Sequence, residues 1–204
     1  MLSFSLPSKK CKKILLMLHG YGSSAANMMG VAEKIICNDI VCVAPDAPYR
    51  REGGGYKWFD IGDISNPDHN SLRNGVISVR SHIDAIIDNL VKEYHLTYED
   101  VILFGFSQGA MIALDTVMRH EKLKYAIGVS GLFYRTSEQN GKGKTALLIH
   151  GTNDGVVDYH FALEAKKALV DLNAKVQLET CEGLGHSIDV QGVSAIKDFL
   201  KKIV

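Results

Sequence analysis

The chain lacks an excess of charge of either sign, since its 204 residues include 23 Lys and Arg against 23 Asp and Glu. A nucleic-acid surface usually needs a basic patch, and the longest basic cluster here is the short segment 9–13. No apolar run approaches the length that spans a bilayer, and the first residues do not have the pattern of a secretory signal. We therefore expect no nucleic-acid partner and no transmembrane segment.

Cysteine is scarce as well. The four cysteines form neither a CxxC pair nor a dense disulfide framework. Cys42 lies inside an apolar run, which predicts a small core residue. A reduced, cytoplasmic setting fits this pattern. The length suits one domain with one sizeable core, so residues 1–204 are expected to form a single domain.

Short apolar runs alternate with amphipathic segments along the chain. The first five of six predicted strands are apolar nearly throughout, as in a sheet that is covered on both faces. This alternation predicts an α/β fold, with a mainly parallel central sheet flanked by helices on both faces. The strands are expected at 14–18, 40–43, 101–104, 125–129, 146–149 and 176–178, with a possible edge strand in 1–7.

The apolar spacing predicts three helices beside these strands. One long helix is expected from Val76 to Tyr94, and two others over 161–172 and 193–203. Asp189 is a candidate cap of the last helix. Residues 44–74 form the one long region without a regular pattern, and loops of that length are usually functional or mobile.

The segment 105–109 reads Gly-Phe-Ser-Gln-Gly and lies between a predicted strand and a predicted helix. That context is the one a nucleophile elbow requires. The turn is so tight that small residues are needed at both ends. Ser107 is therefore the candidate nucleophile, exposed at a helix N-terminus.

A serine nucleophile needs a base, and the base needs a third group that holds its tautomer. In proteins with such an elbow the carboxylate and the histidine follow the serine in that order. Asp154 follows the strand 146–149, and Asp158 competes with it but is better placed to cap the next helix. His186 lies between the last predicted strand and the last helix. Asp154 and His186 are thus the candidate partners of Ser107.

The oxyanion formed during acyl transfer needs prearranged N–H donors. One should be the backbone N–H of Gln108, directly after the serine. The second should come from the loop after the first long strand, where Tyr21 is the first choice and Gly22 the alternative. His19 is expected to support this loop rather than react.

The lining of a substrate pocket is harder to assign from the sequence. Leu72, Met111, Val156 and Val157 lie near the catalytic loops, and they are equally well explained as core residues. The single tryptophan, Trp58, is interpreted either as a packing anchor of the long loop or as a wall of the pocket.

Four residues of the types that bind metals lie close together in the sequence, at His150, Asp154, Asp158 and His160, but their spacing matches no common zinc signature. We therefore expect no metal site. The remaining histidines fall in loop or helical stretches and are expected to be solvated; they are His69, His82, His95, His120 and, from the crowded segment, His160.

These motifs together resemble the phospholipase/carboxylesterase family of α/β-hydrolases, which includes the acyl-protein thioesterases. The elbow with Gln after the serine is more specific than a generic G-x-S-x-G. The matching segments run through most of the chain in the family's order, at 18–22 (LHGYG), 58–60 (WFD), 105–109 (GFSQG), 150–157 (HGTNDGVV) and 185–186 (GH).

The resemblance implies an α/β-hydrolase fold and a serine esterase without a cofactor. It implies that Ser107, Asp154 and His186 form the triad and that Tyr21 and Gln108 supply the oxyanion hole. The segment 61–75 is short where relatives often carry an acidic stretch, which favours a short-acyl ester as substrate. The alternatives are an acyl-protein thioesterase, a lysophospholipase and a non-catalytic binding protein; the oligomeric state is left open.

Overall fold

The computed structural model describes residues 2–4, 11–35, 39–62 and 68–204. The strands in chain order are β1 Leu2–Phe4, β2 Lys13–Leu18, β3 Ile40–Ala44, β4 Tyr49–Arg50, β5 Tyr56–Lys57, β6 Val101–Phe106, β7 Tyr125–Val129, β8 Thr145–Gly151 and β9 Lys175–Cys181. The helices are α1 Ala25–Ile35, α2 His69–Ser78, α3 Arg80–Glu93, α4 Gln108–Arg119, α5 His160–Asp171 and α6 Val190–Lys201, with a short 3-10 turn at Tyr98–Asp100.

Seven of these strands form one sheet in the order β1-β3-β2-β6-β7-β8-β9. Every neighbouring pair is parallel except β1 with β3, which is antiparallel and lies at the edge. The predicted α/β fold and the predicted edge strand are therefore confirmed. Because the parallel strands end at one edge, the loops that follow β2, β6, β8 and β9 meet there.

Successive residues of the central strands pack against opposite faces of the sheet. In β2, Leu16 belongs to one apolar cluster and Leu15 and Met17 to the other. Helices α2 to α5 cover the first face, and α1 and α6 cover the second. Cys42 is buried in the second cluster, as predicted. Cys37 lies outside the described residues.

The long helix predicted from Val76 to Tyr94 is wrong, because the structure has two helices that meet at Val79. In a continuous helix the N–H of Val79 would donate to the carbonyl of Gly75. That carbonyl instead accepts the hydroxyl of Ser78 at 2.7 Å, and the Val79 N–H turns to Ile77. A serine that bonds its local backbone competes with the helix in this way.

The region 44–74 is less irregular than its sequence suggests. It contains the β4–β5 hairpin and the start of α2, while 63–67 lie outside the described residues. The hairpin turn uses Gly54 and Gly55 at positive φ, and a side chain at Gly55 would lie 2.1 Å from the carbonyl oxygen of Gly22. The hairpin therefore packs directly against the loop that follows β2.

One buried lysine holds the end of α4 in place. The side chain of Lys144, only 5% exposed, donates to the carbonyl oxygens of Val117, Met118 and His120 at 2.7, 2.9 and 2.9 Å. The last carbonyls of a helix have no partner within it, so this ammonium group supplies the hydrogen bonds that they lack.

Within the described ranges, no helix is long and apolar enough to cross a membrane.

We expect Lys144→Met to lower the free energy of unfolding by about 2–4 kcal/mol, because three carbonyls lose a charged donor. Denaturant titration would measure this loss. The matched control is Lys142→Met, at an exposed neighbouring position, which should change the stability by less than about 0.5 kcal/mol. Equal effects of the two substitutions would show that the Lys144 contacts do not stabilise the fold.

Candidate active site

Ser107 sits at the sharp turn between β6 and α4. Its backbone has φ 52° and ψ −114°, a conformation that costs energy for a residue with a side chain. A side chain at Gly105 would lie 2.1 Å from the Gly109 oxygen, and one at Gly109 would lie 2.0 Å from the Leu18 oxygen. Both glycines are therefore required by close backbone contacts, and the turn has the form predicted for a nucleophile elbow.

Asp154 and His186 are in direct contact. Asp154 lies after β8 and His186 after β9, and Nδ1 of the imidazole is 2.8 Å from Oδ2 and 3.1 Å from Oδ1 of the carboxylate. The carboxylate is buried and also accepts the backbone N–H groups of Val156 and Val157, both at 2.9 Å. This geometry makes Asp154, not Asp158, the carboxylate that orients the imidazole.

Two opposing effects set the pKa of Asp154. Burial alone would raise it, but hydrogen bonds from the Val157 N–H, the His186 ring and the Val156 N–H outweigh burial and hold the pKa below its usual range. Asp154 is therefore a carboxylate at neutral pH. It accepts the Nδ1–H of His186, which leaves Nε2 as the ring nitrogen that can take a proton.

The His186 ring lies next to the serine elbow. Its centroid is 4.9 Å from that of Phe106, the residue before Ser107. In the part of the chain that the structure describes, Nε2 has no hydrogen-bond partner, so no hydrogen bond joins it to the Ser107 hydroxyl. Such contacts are often long without substrate and tighten in the reacting complex.

The loop after β2 approaches Ser107 from the other side. A side chain at Gly20 would lie 3.3 Å from the Ser107 Cβ. The N–H of Gly22 donates to the Tyr56 carbonyl at 2.8 Å, so the alternative oxyanion donor is already engaged. Considering only described residues, the backbone N–H groups of Tyr21 and Gln108 have no protein acceptor. Both groups are therefore free to donate to another acceptor.

The side chain of Gln108 has a role that the sequence analysis missed. It is buried and bridges two neighbouring backbone groups, accepting the Trp58 N–H at 2.9 Å and donating to the Phe59 carbonyl at 2.8 Å. The Trp58 indole in turn donates to the His19 carbonyl at 2.9 Å. We call Gln108, Trp58 and His19 the loop clamp, because they join both oxyanion loops to the 58–59 segment.

His19 completes the loop clamp from inside the protein. It is fully buried, its Nδ1 lies 2.7 Å from the Gly20 carbonyl oxygen, and its Nε2 accepts the Ala47 N–H at 3.0 Å. Burial lowers its pKa. The neutral ring satisfies both contacts, with Nδ1–H as donor and Nε2 as acceptor. His19 thus supports the loop, as the sequence predicted.

A cavity of about 540 Å³, open at its mouth, lies beside Ser107. Its lining includes four of the five predicted pocket residues, which are Leu72, Met111, Val156 and Val157, together with Tyr21 and Gln108. Trp58 is fully buried and not part of this lining. Its interpretation as a pocket wall is wrong, because its ring is held in the loop clamp.

The sequence analysis missed three further lining residues, Ile61, Leu132 and Phe161. Leu132 follows the end of β7, and Phe161 lies in the first turn of α5. Both positions are at the edge of the sheet where the catalytic loops meet. Leu132 lies close to a predicted strand end and Phe161 opens a predicted helix, but many apolar residues share such positions.

The crowded segment 150–160 separates into two unrelated pairs. His150 is buried with its Nε2 2.8 Å from the Val157 carbonyl oxygen and 3.4 Å from Asp154. Asp158 and His160 form an exposed pair at 2.8 Å, and Asp158 accepts the His160 N–H near the start of α5. Among the described residues, no group of three His, Cys, Asp or Glu side chains could hold a metal ion.

Of the five histidines expected to be solvated, one is not exposed. His120 is half-buried and stacks on Tyr98 with ring centroids 4.9 Å apart, and burial lowers its pKa. The other four, His69, His82, His95 and His160, are exposed.

Comparison with known proteins identifies the family. Residues 3–204 match the phospholipase/carboxylesterase family. The chain belongs to this family. It is 28% identical to esterase YpfH of Escherichia coli over 96% of this chain and 84% of that protein. It is 25% identical to acyl-protein thioesterase 1 of Debaryomyces hansenii, over 97% of this chain and 94% of that protein.

Solved structures agree with this assignment. The crystal structure of esterase PE8 superposes with a TM-score of 0.92 at 31% identity, covering 100% of this chain and 98% of that one. The Bacillus cereus carboxylesterase, at 24% identity and a TM-score of 0.80 over 95% of this chain and 89% of that one, shares the fold. The predicted α/β-hydrolase fold is confirmed, and the family member described here is a carboxylic-ester hydrolase.

The role of the loop clamp can be tested with Gln108→Leu. This substitution keeps the size of the side chain and removes both of its hydrogen bonds. The buried Trp58 N–H and Phe59 carbonyl would be left unpaired, at a cost of about 2–5 kcal/mol of stability. The displaced loops should lower kcat for ester hydrolysis by roughly 10- to 100-fold. Denaturant titration and steady-state kinetics measure the two effects.

The control for Gln108→Leu is Gln177→Leu, at an exposed position of β9. It should change stability by less than about 0.5 kcal/mol and leave kcat unchanged. Wild-type stability and kcat in Gln108→Leu would contradict the role given to the loop clamp.

Proposed function

We propose that this protein is a serine carboxylesterase that hydrolyses short-acyl esters through Ser107, His186 and Asp154. The observation that carries the proposal is the Asp154–His186 hydrogen bond of 2.8 Å beside a strained serine elbow. A serine, an imidazole and a buried carboxylate in this arrangement support nucleophilic acyl transfer.

The proposed reaction has two halves. His186 takes the hydroxyl proton of Ser107 through Nε2 as the serine oxygen attacks the ester carbonyl. Asp154 keeps the imidazole oriented and stabilises its charged form. The N–H groups of Tyr21 and Gln108 stabilise the oxyanion. His186 then protonates the departing alcohol, and an acyl-enzyme remains.

Water completes the cycle. His186 removes a proton from a water molecule, which attacks the acyl carbonyl, and the serine oxygen leaves with the proton that His186 returns. The products are the carboxylic acid and the free enzyme. Protein groups perform each proton transfer in this sequence, so the proposed chemistry requires neither a cofactor nor a metal.

The shape of the cavity favours a short acyl group. The side chains of Leu72, Met111 and Leu132 are almost fully buried and form part of its walls. Well-packed apolar walls do not yield easily to a longer chain. Val156 also lines the cavity, and 52% of its surface is exposed. This exposure is consistent with a position near the open side of the cavity.

An acyl-protein thioesterase or a lysophospholipase is the second candidate. The support for it is the similarity to a protein named acyl-protein thioesterase 1 over nearly the whole chain. The same triad serves esters and thioesters, so only the acyl pocket separates these activities. A non-catalytic binding protein is disfavoured, because the candidate nucleophile, base, carboxylate and both N–H donors are all present.

We further propose that residues 1–204 form one domain that works in the cytoplasm on a small ester or acyl substrate. The support for a reducing compartment is the cysteine pattern. Among the described residues, Cys11 and Cys181 form no disulfide, and Cys181 is buried in the core. Such usage is typical of proteins in reducing compartments.

The test is a series of p-nitrophenyl esters of increasing acyl length, from acetate to hexadecanoate. We expect kcat/KM to be greatest among acetate, butanoate and hexanoate, because the packed apolar walls beside Ser107 favour a short alkyl chain. Ser107→Ala should lower kcat at every length by at least about 10⁴-fold. Its folding, followed by circular dichroism, should match that of the wild type.

The same series distinguishes the alternatives. A serine-dependent maximum at long chains would contradict the short-acyl assignment and favour a thioesterase or a lysophospholipase. Activity that survives in Ser107→Ala, or no hydrolysis of any ester by the wild type, would overturn the proposed mechanism.

A further inference from the structure

A second cavity adjoins the one beside Ser107. It is an open groove whose lining includes Leu132, Tyr134 and Phe161, with His69, His160 and Glu164 as its polar, exposed members. We call it the aromatic groove. It is formed by the start of α2, the loop after β7 and the first turns of α5.

The aromatic groove borders the cavity beside Ser107. Leu132 and Phe161 line both spaces. Ser107, Tyr21 and Gln108 line only the first cavity. The groove is therefore the adjoining space that an acyl group bound at Ser107 would enter if it extended past Leu132 and Phe161.

Three aromatic rings of the groove are already arranged around one another. The His69 ring centroid lies 6.0 Å from that of Tyr134, at an interplanar angle of 68°, and 5.5 Å from that of Phe161. Aromatic rings favour such edge-to-face and tilted contacts at 4.5–7 Å. One further ring placed among them would find several aromatic faces and edges within contact distance.

A hydrogen bond holds two of these rings in place. Nδ1 of His69 lies 2.9 Å from the phenol oxygen of Tyr134. Burial raises the pKa of Tyr134 to about 12, so the phenol keeps its proton at neutral pH. Walls that are fixed before binding lose little conformational entropy when a ligand arrives.

The groove suits an aromatic ring better than an alkyl chain. Its lining mixes apolar rings with polar groups of His69, His160 and Glu164. An alkyl chain lying there would remove water from these groups without replacing their hydrogen bonds. A flat ring presents an electron-rich face and a positive edge to aromatic and imidazole neighbours.

We propose that the aromatic groove binds an aromatic ring carried at the far end of the acyl group, so that aryl-alkanoic acid esters are a preferred substrate class. This inference rests on the proposed function, because it takes the Ser107 cavity as the acyl site. The structure supports it through the shared Leu132–Phe161 border and the preset rings of His69 and Tyr134.

The experiment compares methyl esters in matched pairs, each ending in a phenyl or a cyclohexyl ring on a linker of one, two or three methylenes. Acid release is followed in a pH-stat, so that no aromatic leaving group competes for the groove. We expect kcat/KM to favour the phenyl ester by about two- to ten-fold for at least one linker, as aromatic ring contacts of this kind imply.

Substitutions of groove residues test whether the groove causes the preference for the phenyl ester. His69→Ala and Tyr134→Ala should reduce the phenyl-to-cyclohexyl ratio to about one, while Tyr134→Phe, which keeps the ring, should retain most of it. Tyr49→Ala, which removes an exposed aromatic side chain from the β4–β5 hairpin, is the matched control and should leave the ratio unchanged. Tyr49→Ala should also hydrolyse methyl butanoate at the wild-type rate.

The outcomes separate this inference from the proposed function. Serine-dependent hydrolysis of methyl butanoate without any phenyl preference would overturn the groove proposal alone. A preference that persists in both alanine variants, or an equal loss with every ester, would also overturn it, since the rings would then be irrelevant or merely structural. Loss of all serine-dependent hydrolysis in the wild type would instead contradict the proposed function.

Discussion

Close contact between backbones at the elbow is the constraint on which the rest of the site depends. The start of α4 approaches the ends of β2 and β6 so nearly that side chains at Gly105 or Gly109 would overlap carbonyl oxygens. This contact places the N–H of Gln108 and the loop of Tyr21 on either side of Ser107. Any enlargement at those glycines would separate Ser107 from the two N–H groups proposed as its oxyanion donors.

Two hydrogen-bonded systems extend this constraint outward. On one side, the loop clamp of Gln108, Trp58 and His19 holds the oxyanion loops against the 58–59 segment. On the other, Asp154 and two backbone N–H groups fix the His186 ring. The reacting groups are thus held by buried, paired polar atoms, which is where hydrogen bonds contribute most to precise positioning.

Local sequence signals were sufficient to predict much of this arrangement. The five predicted apolar strands lie within a few residues of β2, β3, β6, β7 and β8, because a strand buried on both faces is apolar throughout. The order of Ser107, Asp154 and His186 followed from loops at strand ends, and the structure brings Asp154 and His186 together. The cap at Asp189 also agrees, since its side chain accepts the Gly192 N–H.

Features that depend on contacts distant in sequence could not be predicted in this way. The break at Val79 arises from the hydroxyl of Ser78, and an apolar spacing that continues through it hides the interruption. In the loop clamp, Gln108 is hydrogen-bonded to Trp58, which lies 50 positions earlier in the sequence. The sequence alone therefore allows two interpretations of Trp58. Leu132 and Phe161 line the cavity only because the assembled sheet edge brings them together.

The most direct test of the central claim is covalent labelling of the folded wild-type protein with a fluorophosphonate, followed by peptide mass spectrometry. The account predicts stoichiometric labelling of Ser107 alone, because only an activated serine reacts with such a probe. Labelling should be much slower in Asp154→Asn, where the imidazole loses its orienting carboxylate. Labelling at another serine, or no labelling of a correctly folded protein, would contradict the assignment of Ser107 as the nucleophile.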